Sequence, residues 1–228
     1  TAKTMVVHFS ELADDALKKT SAKPGERVVD IGSNDGTLLK AFKQRGMDVL
    51  GIDPAENLVA RANSDGITSV AAFFGQKTAE HIVDKYGHIK LITGTNVMAH
   101  VPNTNGFVSG IKTLLAPDGS FLAEFPYGLE LLKGLEFDTI YHEHVFYFTI
   151  RPLIELFARH GLVIYHIDSL SVHGGSLRIF VGHSGRFTED NSVVALLEKE
   201  RAYGLNTLKP LMEFQRRVRD VRKQLRQF

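Results

Sequence analysis

The sequence predicts an α/β domain built on a doubly wound, mostly parallel β-sheet with an antiparallel edge strand. Three observations carry this. Short β-branched runs alternate with helical patterns between residues 28 and 125, which implies βαβ units. A polar, glycine-bearing turn follows the first run, where open α/β sheets bind ligands. Two strand-like runs at 162–167 and 177–181 follow each other with no helix between them, so they can pair antiparallel and close one edge.

Taken in order, Met5, Val6, Phe9, Leu12, Ala13, Ala16 and Leu17 recur at offsets of three and four, the spacing of one helix face. Lys23, Pro24 and Gly25 break that pattern. Residues 28–31 read as a strand, 38–42 as a helix, 49–52 as a strand and 58–62 as a helix. A third strand precedes Ala72, a fourth covers 91–93, a helix covers 107–115 and a strand 120–125. Residues 149–160 then read as a helix stopped by Gly161, and the two final strands flank a turn at His173, Gly174 and Gly175. From Asn191 onward the pattern is helical, weakened at Gly204 and Pro210. Residues 1–185 are read as one domain and 186–228 as a helical extension.

Composition excludes several classes of function. The 228 residues carry 27 Lys and Arg against 26 Asp and Glu, too even a balance for a nucleic-acid field over the whole molecule. There is no cysteine, which excludes disulfides, cysteine–zinc sites and a cysteine nucleophile within these residues. No apolar run approaches the ~20 residues of a membrane helix, and the start lacks the basic-then-apolar order of a signal peptide. A soluble, cytoplasmic protein is expected, with a small-molecule substrate and an oligomeric state that the sequence leaves open. Residues 209–228 hold seven basic against two acidic side chains, a pattern that fits a phosphate surface or, more commonly, a solvated helix face. Leu211, Met212, Phe214, Val218, Val221 and Leu225 in that stretch need something to pack against.

The turn after the first strand reads Asp-Ile-Gly-Ser-Asn-Asp-Gly-Thr over residues 30–37. A dinucleotide site wants G-x-G-x-x-G; counted from Gly32, the other two glycine positions hold Asn34 and Thr37, so that reading fails. What remains is an acid, Asp30, at the strand end and a polar loop, which suits a cofactor with a charged amino-acid tail and no pyrophosphate. The segment resembles motif I of the class I S-adenosylmethionine-dependent methyltransferases, whose acid faces the methionine ammonium. The resemblance implies a Rossmann-like seven-stranded sheet and S-adenosylmethionine cradled by Asp30, Gly32, Ser33, Asn34 and Gly36. It places Asp53 at the ribose hydroxyls, Pro54 against the adenine, Phe73, Phe74 and Gly75 at the purine face, Phe74 in preference to Phe73, and Thr95 and Asn96 near the methionine tail.

Residues 137–148, Phe-Asp-Thr-Ile-Tyr-His-Glu-His-Val-Phe-Tyr-Phe, concentrate titratable groups beside aromatics. Tyr141, His142, Glu143 and His144 fit three readings: a metal site, a structural cluster, or acid–base chemistry. Two imidazoles and one carboxylate in four residues do not close a coordination set, so no metal is expected. Imidazole titrates near neutrality and is tuned by a neighbouring carboxylate, which favours the acid–base reading.

Taken together, DIGSNDGTLL, GIDP, FFG, NVMAHVPN, EFPY, FDTIYHEHVFYF and HGGSLR resemble the nucleotide-sugar C-methyltransferases of deoxysugar biosynthesis over roughly residues 5 to 183. Members of that family join an N-terminal cysteine-rich zinc module, a cofactor domain and a C-terminal domain that helps to hold the nucleotide-sugar. The present residues match the last two in part, as an excised fragment or a shortened relative would. The resemblance implies a thymidine-diphospho 4-keto sugar methylated beside its ketone through an enolate. It makes His144 the base, Glu143 its partner and Tyr141 a donor to the enolate oxygen. His100, Tyr127, His142, His173 and Arg178 are expected to line the sugar site. An O- or N-methyltransferase for another small molecule, or a cofactor-binding domain without turnover, are the alternative functions.

Overall fold

The computed structural model describes residues 3–227, with the side chain of His173 outside the described set. Its helices are α1 (Lys3–Thr20), α2 (Thr37–Gln44), α3 (Glu56–Ser64), α4 (Gln76–Tyr86), α5 (Thr104–Leu114), α6 (Gly128–Gly134), α7 (Ile150–Arg159), α8 (Asn191–Tyr203) and α9 (Lys209–Leu225). Its strands are β1 (Arg27–Ile31), β2 (Asp48–Asp53), β3 (Ser69–Ala71), β4 (Ile89–Thr95), β5 (Leu115–Pro126), β6 (Leu162–Leu170) and β7 (Ser176–His183). They form one seven-stranded sheet in the order β3-β2-β1-β4-β5-β7-β6. The first five strands in chain order pair parallel, and β7 runs against both β5 and β6. The predicted antiparallel pair is therefore present, with β7 inserted between β5 and β6. The strand order reverses between β1 and β4, so the crevice that binds ligands in such sheets opens above their carboxyl ends.

The sheet has a core on each face, because strands buried on both sides alternate their apolar residues between two helical layers. Val29, Ile31, Leu50, Ile52, Ile92 and Phe121 belong to one core, which α4, α5, α7 and α8 cover. Val28, Val49, Leu91, Leu122 and Phe180 belong to the other, against α1 and α2. Two helices, α4 and α6, are not evident from apolar periodicity. The buried face of α4 consists of Ala79 and Ile82 alone, and α6 has only seven residues.

On the α1 side the sheet carries a polar band. The register places Thr95, Glu124, Arg178 and Asp168 abreast on β4, β5, β7 and β6. Helix α1 lies over this band and engages it with charged side chains. Arg178 donates from Nε and Nη2 to Glu124 Oε2, 3.1 Å in each case, and from Nη1 to Asp15 Oδ2 at 2.9 Å. His8 Nε2 lies 2.5 Å from Glu124 Oε1, and Lys19 Nζ 2.5 Å from Asp168 Oδ2. Glu124 and Arg178 are only 3% and 5% exposed. Breaking such a pair leaves an uncompensated buried charge, which costs about 3–5 kcal/mol, whereas replacing both partners by apolar residues is often neutral. Arg178→Met is therefore expected to destabilise the fold by about 3 kcal/mol in urea unfolding, and the combined Glu124→Leu and Arg178→Met change to recover most of that loss.

Candidate active site

Three adjoining clefts open above the carboxyl ends of the strands, and Asn96 lines all of them. Asn96 follows β4 in the left-handed region (φ 55°), and its N–H donates to Glu124 O at 2.7 Å. Asparagine tolerates that conformation better than most residues, which explains its place at the sharp exit from the strand.

The first cleft, about 240 Å³, lies between the β1 turn and α1, which contributes Met5 and Phe9. At its floor Asp30 is 2% exposed and accepts a hydrogen bond from Thr93 Oγ1 at 2.6 Å. Burial pushes the Asp30 carboxyl up to about 7; the Thr93 hydrogen bond opposes this rise and the charge of Asp53 adds to it. Gly32 holds the turn in the left-handed region (φ +69°), where a Cβ would lie 2.3 Å from Val97 Cγ2. The buried Ser33 hydroxyl lines this cleft and has no hydrogen-bond partner among the described residues.

The second cleft, about 310 Å³, lies between the ends of β1, β2 and β3. Asp53 stands in it with both carboxylate oxygens fixed: Asn34 N–H donates to Oδ2 and Ala55 N–H to Oδ1, each at 2.9 Å. Pro54, Phe73 and Phe74 form the wall. Phe74 packs edge-on to Phe107, with ring centroids 5.3 Å apart, whereas the Phe73 ring is 83% exposed at the mouth. Gly75 caps α4 behind them, where a Cβ on Gly110 would come within 2.9 Å of its carbonyl carbon, and does not line the cleft.

The third cleft, about 310 Å³, is lined by His100, Glu136, Tyr141, His144, Tyr147 and a floor of Phe125, Phe146 and Phe148. Residues 141–144 form a turn closed by His144 N–H on Tyr141 O at 3.1 Å, so the first and last side chains meet and the middle two project away. Tyr141 Oη is 3.0 Å from His144 Nε2, with ring centroids 4.3 Å apart. His100 sits edge-on to His144 at 4.9 Å, and its Nδ1 donates to Glu143 O at 3.0 Å. The Glu143 carboxylate is mainly solvated, 4.0 Å from the still more exposed His142. Tyr141, and not the Glu143 carboxylate expected as its partner, is thus the side chain within hydrogen-bond distance of His144 among the described residues. Desolvation and then the charge of His100 push the His144 imidazole below its ordinary range; the Thr139 backbone and, more weakly, Glu143 act in the opposite direction. The imidazole therefore stays neutral, as a base requires.

Two other residues expected at the sugar site lie elsewhere. Tyr127 is 2% exposed and donates from its hydroxyl to the buried Glu200 Oε1 at 2.9 Å, while Arg178 belongs to the ion pairs under α1. Both alternate with their neighbours along extended backbone, and register turns them from the cleft. The side chain of His173 lies outside the described residues. Nothing in the sequence pattern singles out Thr93 or Glu136, and Tyr147, although inside the 137–148 segment, is given no role by it. Tyr147 donates to Thr139 O at 3.3 Å and accepts from Tyr141 N–H at 3.2 Å, bracing the turn.

A family model described as a methyltransferase domain matches residues 6–167, and one described as a C-methyltransferase C-terminal domain matches 171–228. The chain belongs to the S-adenosylmethionine-dependent methyltransferases. It is 37% identical over 227 residues, 99% of its length, to the C-methyltransferase NovU of Streptomyces niveus, and spans 54% of that relative. It is 34% identical over 97 residues, 42% of each chain, to a ubiquinone biosynthesis O-methyltransferase of Pseudomonas aeruginosa. The chain thus spans about half or less of the length of these relatives. Among solved structures, the magnesium protoporphyrin IX methyltransferase of Synechocystis with bound SAM aligns with a TM-score of 0.57 at 16% identity, covering 78% of this chain and 81% of that one. The cyclopropane synthase MmaA2 of Mycobacterium tuberculosis aligns with a TM-score of 0.55 at 18% identity, covering 72% and 64%. These two likenesses concern the fold.

The position of Asp30 in this fold has a consequence for stability. Folded Asp30 keeps its proton up to about pH 7 while the unfolded carboxyl loses it near 3.8, so the folded state binds more protons between those limits. Its contribution to stability is expected to fall as pH rises through that window. Chemical denaturation of Asp30→Asn should lack this component and show a shallower decline from about pH 4 to 8.

Proposed function

We propose that this chain is the cofactor-binding and catalytic portion of a C-methyltransferase that methylates the carbon beside the ketone of a nucleotide-linked keto sugar, through an enolate. The observation that carries the reading is the Tyr141–His144 pair, 3.0 Å apart in a cleft that shares Asn96 and His100 with the cleft beside it. The name of the relative from Streptomyces niveus supports carbon as the acceptor atom.

The clefts suit S-adenosylmethionine, which when bound supplies an electrophilic methyl group on a sulfonium. The orphaned Ser33 hydroxyl, the buried Asp30 and the Gly32 and Asn34 positions fit an amino-acid tail, while Gly36 (φ +74°) turns the chain into α2 outside this lining. Asp53 accepts from ribose hydroxyls with lone pairs beyond those held by the backbone. Pro54, Phe74 and the exposed Phe73 flank the purine, with Gly75 at the start of α4 behind them, and Asn96 joins the two clefts. An ammonium near Asp30 favours its carboxylate, so binding releases a proton where Asp30 is protonated.

His144 then takes the proton from the carbon beside the ketone, and the Tyr141 hydroxyl turns to the oxygen on which negative charge develops. Carbon is a poor nucleophile until that proton leaves, so base and methyl donor must flank one carbon. His100, anchored by the Glu143 carbonyl, adds to desolvation in favouring neutral His144 and lines the sugar side of the cleft. Glu143 supports the pair through its backbone and at a distance through its charge, and His142 stands at the solvated rim. In this scheme residues 1–185 carry the chemistry and 186–228 extend the sheet domain with helices.

Calorimetry should show S-adenosylmethionine binding that weakens as pH falls below about 7, with Asp30→Asn binding poorly and losing that pH dependence. His144→Asn is expected to lower kcat at least about 100-fold and to abolish solvent deuterium exchange at the carbon beside the ketone, with cofactor affinity nearly unchanged. Equal loss of transfer and cofactor affinity would assign His144 a structural role. Methylation of a hydroxyl or amine acceptor with no carbon exchange would replace carbon by a heteroatom.

A further inference from the structure

We propose that Glu136 selects the acceptor: its carboxylate accepts a hydrogen bond from a donor group, hydroxyl or ammonium, on the sugar ring beside the carbon that is methylated. This deepens the nucleotide-sugar reading above and rests on it.

Glu136 is half-buried and lines the cleft that holds His100, Tyr141 and His144. No hydrogen bond or ion pair engages its carboxylate among the described residues, whereas Glu130, six residues earlier, is bound by Lys199 Nζ at 2.8 Å. Holding a carboxylate partly out of water with no donor costs free energy, and a donor on the ligand removes that cost. The backbone fixes the residue firmly. Its N–H donates to Leu131 O at 3.1 Å, and its carbonyl accepts from Thr139 N–H at 3.2 Å and Thr139 Oγ1 at 2.7 Å.

The Gly174–Gly175 turn completes the seat. Gly174 has φ +74°, and a Cβ there would lie 2.0 Å from Glu136 Oε1 and 2.6 Å from its Cδ. Gly175 has φ +132°, with a Cβ meeting Glu130 Cγ at 2.8 Å. In the sequence these glycines account only for a turn; in the fold Gly174 leaves room for the Glu136 carboxylate and Gly175 for the Glu130 side chain.

An ionised carboxylate only accepts hydrogen bonds. It recognises neither a ketone oxygen nor a diphosphate, which it repels, and the ketone is already served by Tyr141. What it distinguishes is a ring carrying a hydroxyl or ammonium from one carrying hydrogen. A site built to bond a polar group rejects the analogue that lacks it, because its own polar atom is left unpaired.

The test uses the whole chain, S-adenosylmethionine and three thymidine-diphospho 4-keto-6-deoxyhexoses that bear a hydroxyl, an amino group or hydrogen next to the methylated carbon. Glu136→Ala should lower kcat/KM about 10- to 100-fold for the hydroxyl and amino sugars. It should raise kcat/KM for the deoxy sugar, because no carboxylate is then left unpaired against it, and leave the cofactor affinity and the melting temperature unchanged. Glu136→Gln, which keeps an acceptor oxygen, should restore the hydroxyl sugar more than the amino sugar. An equal loss on all three sugars, or none, would overturn the inference while the acceptor assignment stands. Failure of the unsubstituted protein to methylate any keto sugar would overturn that assignment and this inference with it.

Discussion

The carboxylate of Glu124 is the group around which the working parts of this molecule are assembled. It is 3% exposed in the middle of a sheet, where a lone charge would be prohibitively costly. Arg178 on the adjacent strand and His8 on α1 supply its partners, and Arg178 reaches on to Asp15 of the same helix. Satisfying the charge therefore fixes α1 across the sheet, and α1 brings Met5 and Phe9 to the wall of the first cleft. The backbone carbonyl of Glu124 at the same time holds the N–H of Asn96, where the three clefts meet. One residue thus ties the covering helix to the floor of the site, with its side chain directed one way and its main chain the other.

The three clefts differ in what water exclusion does to their titratable groups. In the first, burial raises Asp30 until a cationic ligand becomes the natural means of ionising it. In the third, burial and the neighbouring His100 lower His144, which keeps a lone pair available near neutrality. The same physical effect, loss of hydration, acts on an acid and on a base so that each is shifted toward its neutral form before ligands arrive. A ligand that offers a cationic partner or a proton then shifts the charge of each, which suits a site that must bring a cation and a reactive carbon together.

Much of the fold is legible in the residues because parallel strands buried on both faces need continuous β-branched runs, and residues 28–31, 49–52 and 91–93 show them plainly. The helix α4 is less evident because its buried face is just Ala79 and Ile82, and α6 because seven residues are too few for a period to repeat. Within the site, Asp30, Tyr141 and His144 stand out through spacing and residue type, and Asp53 and Asn96 through the resemblance to motif I methyltransferases. Glu136 and Thr93 do not, since a lone glutamate or threonine looks like many others until the register or a distant glycine turn gives it a neighbour.

By itself the sequence determined the alternation of strands and helices, the acid-tipped turn after the first strand and the concentration of aromatic and titratable groups at 137–148. These depend on local steric and hydrophobic preferences, which act between residues close in the chain. The tertiary structure alone decided that β7 lies between β5 and β6, that Arg178 and Tyr127 turn inward to Glu124 and Glu200, and that His144 meets Tyr141 instead of the Glu143 carboxylate. Those outcomes hinge on strand register and on the side of a turn to which each residue points, where a shift of one residue exchanges the buried face for the open one. Contacts between residues far apart in the chain set that choice.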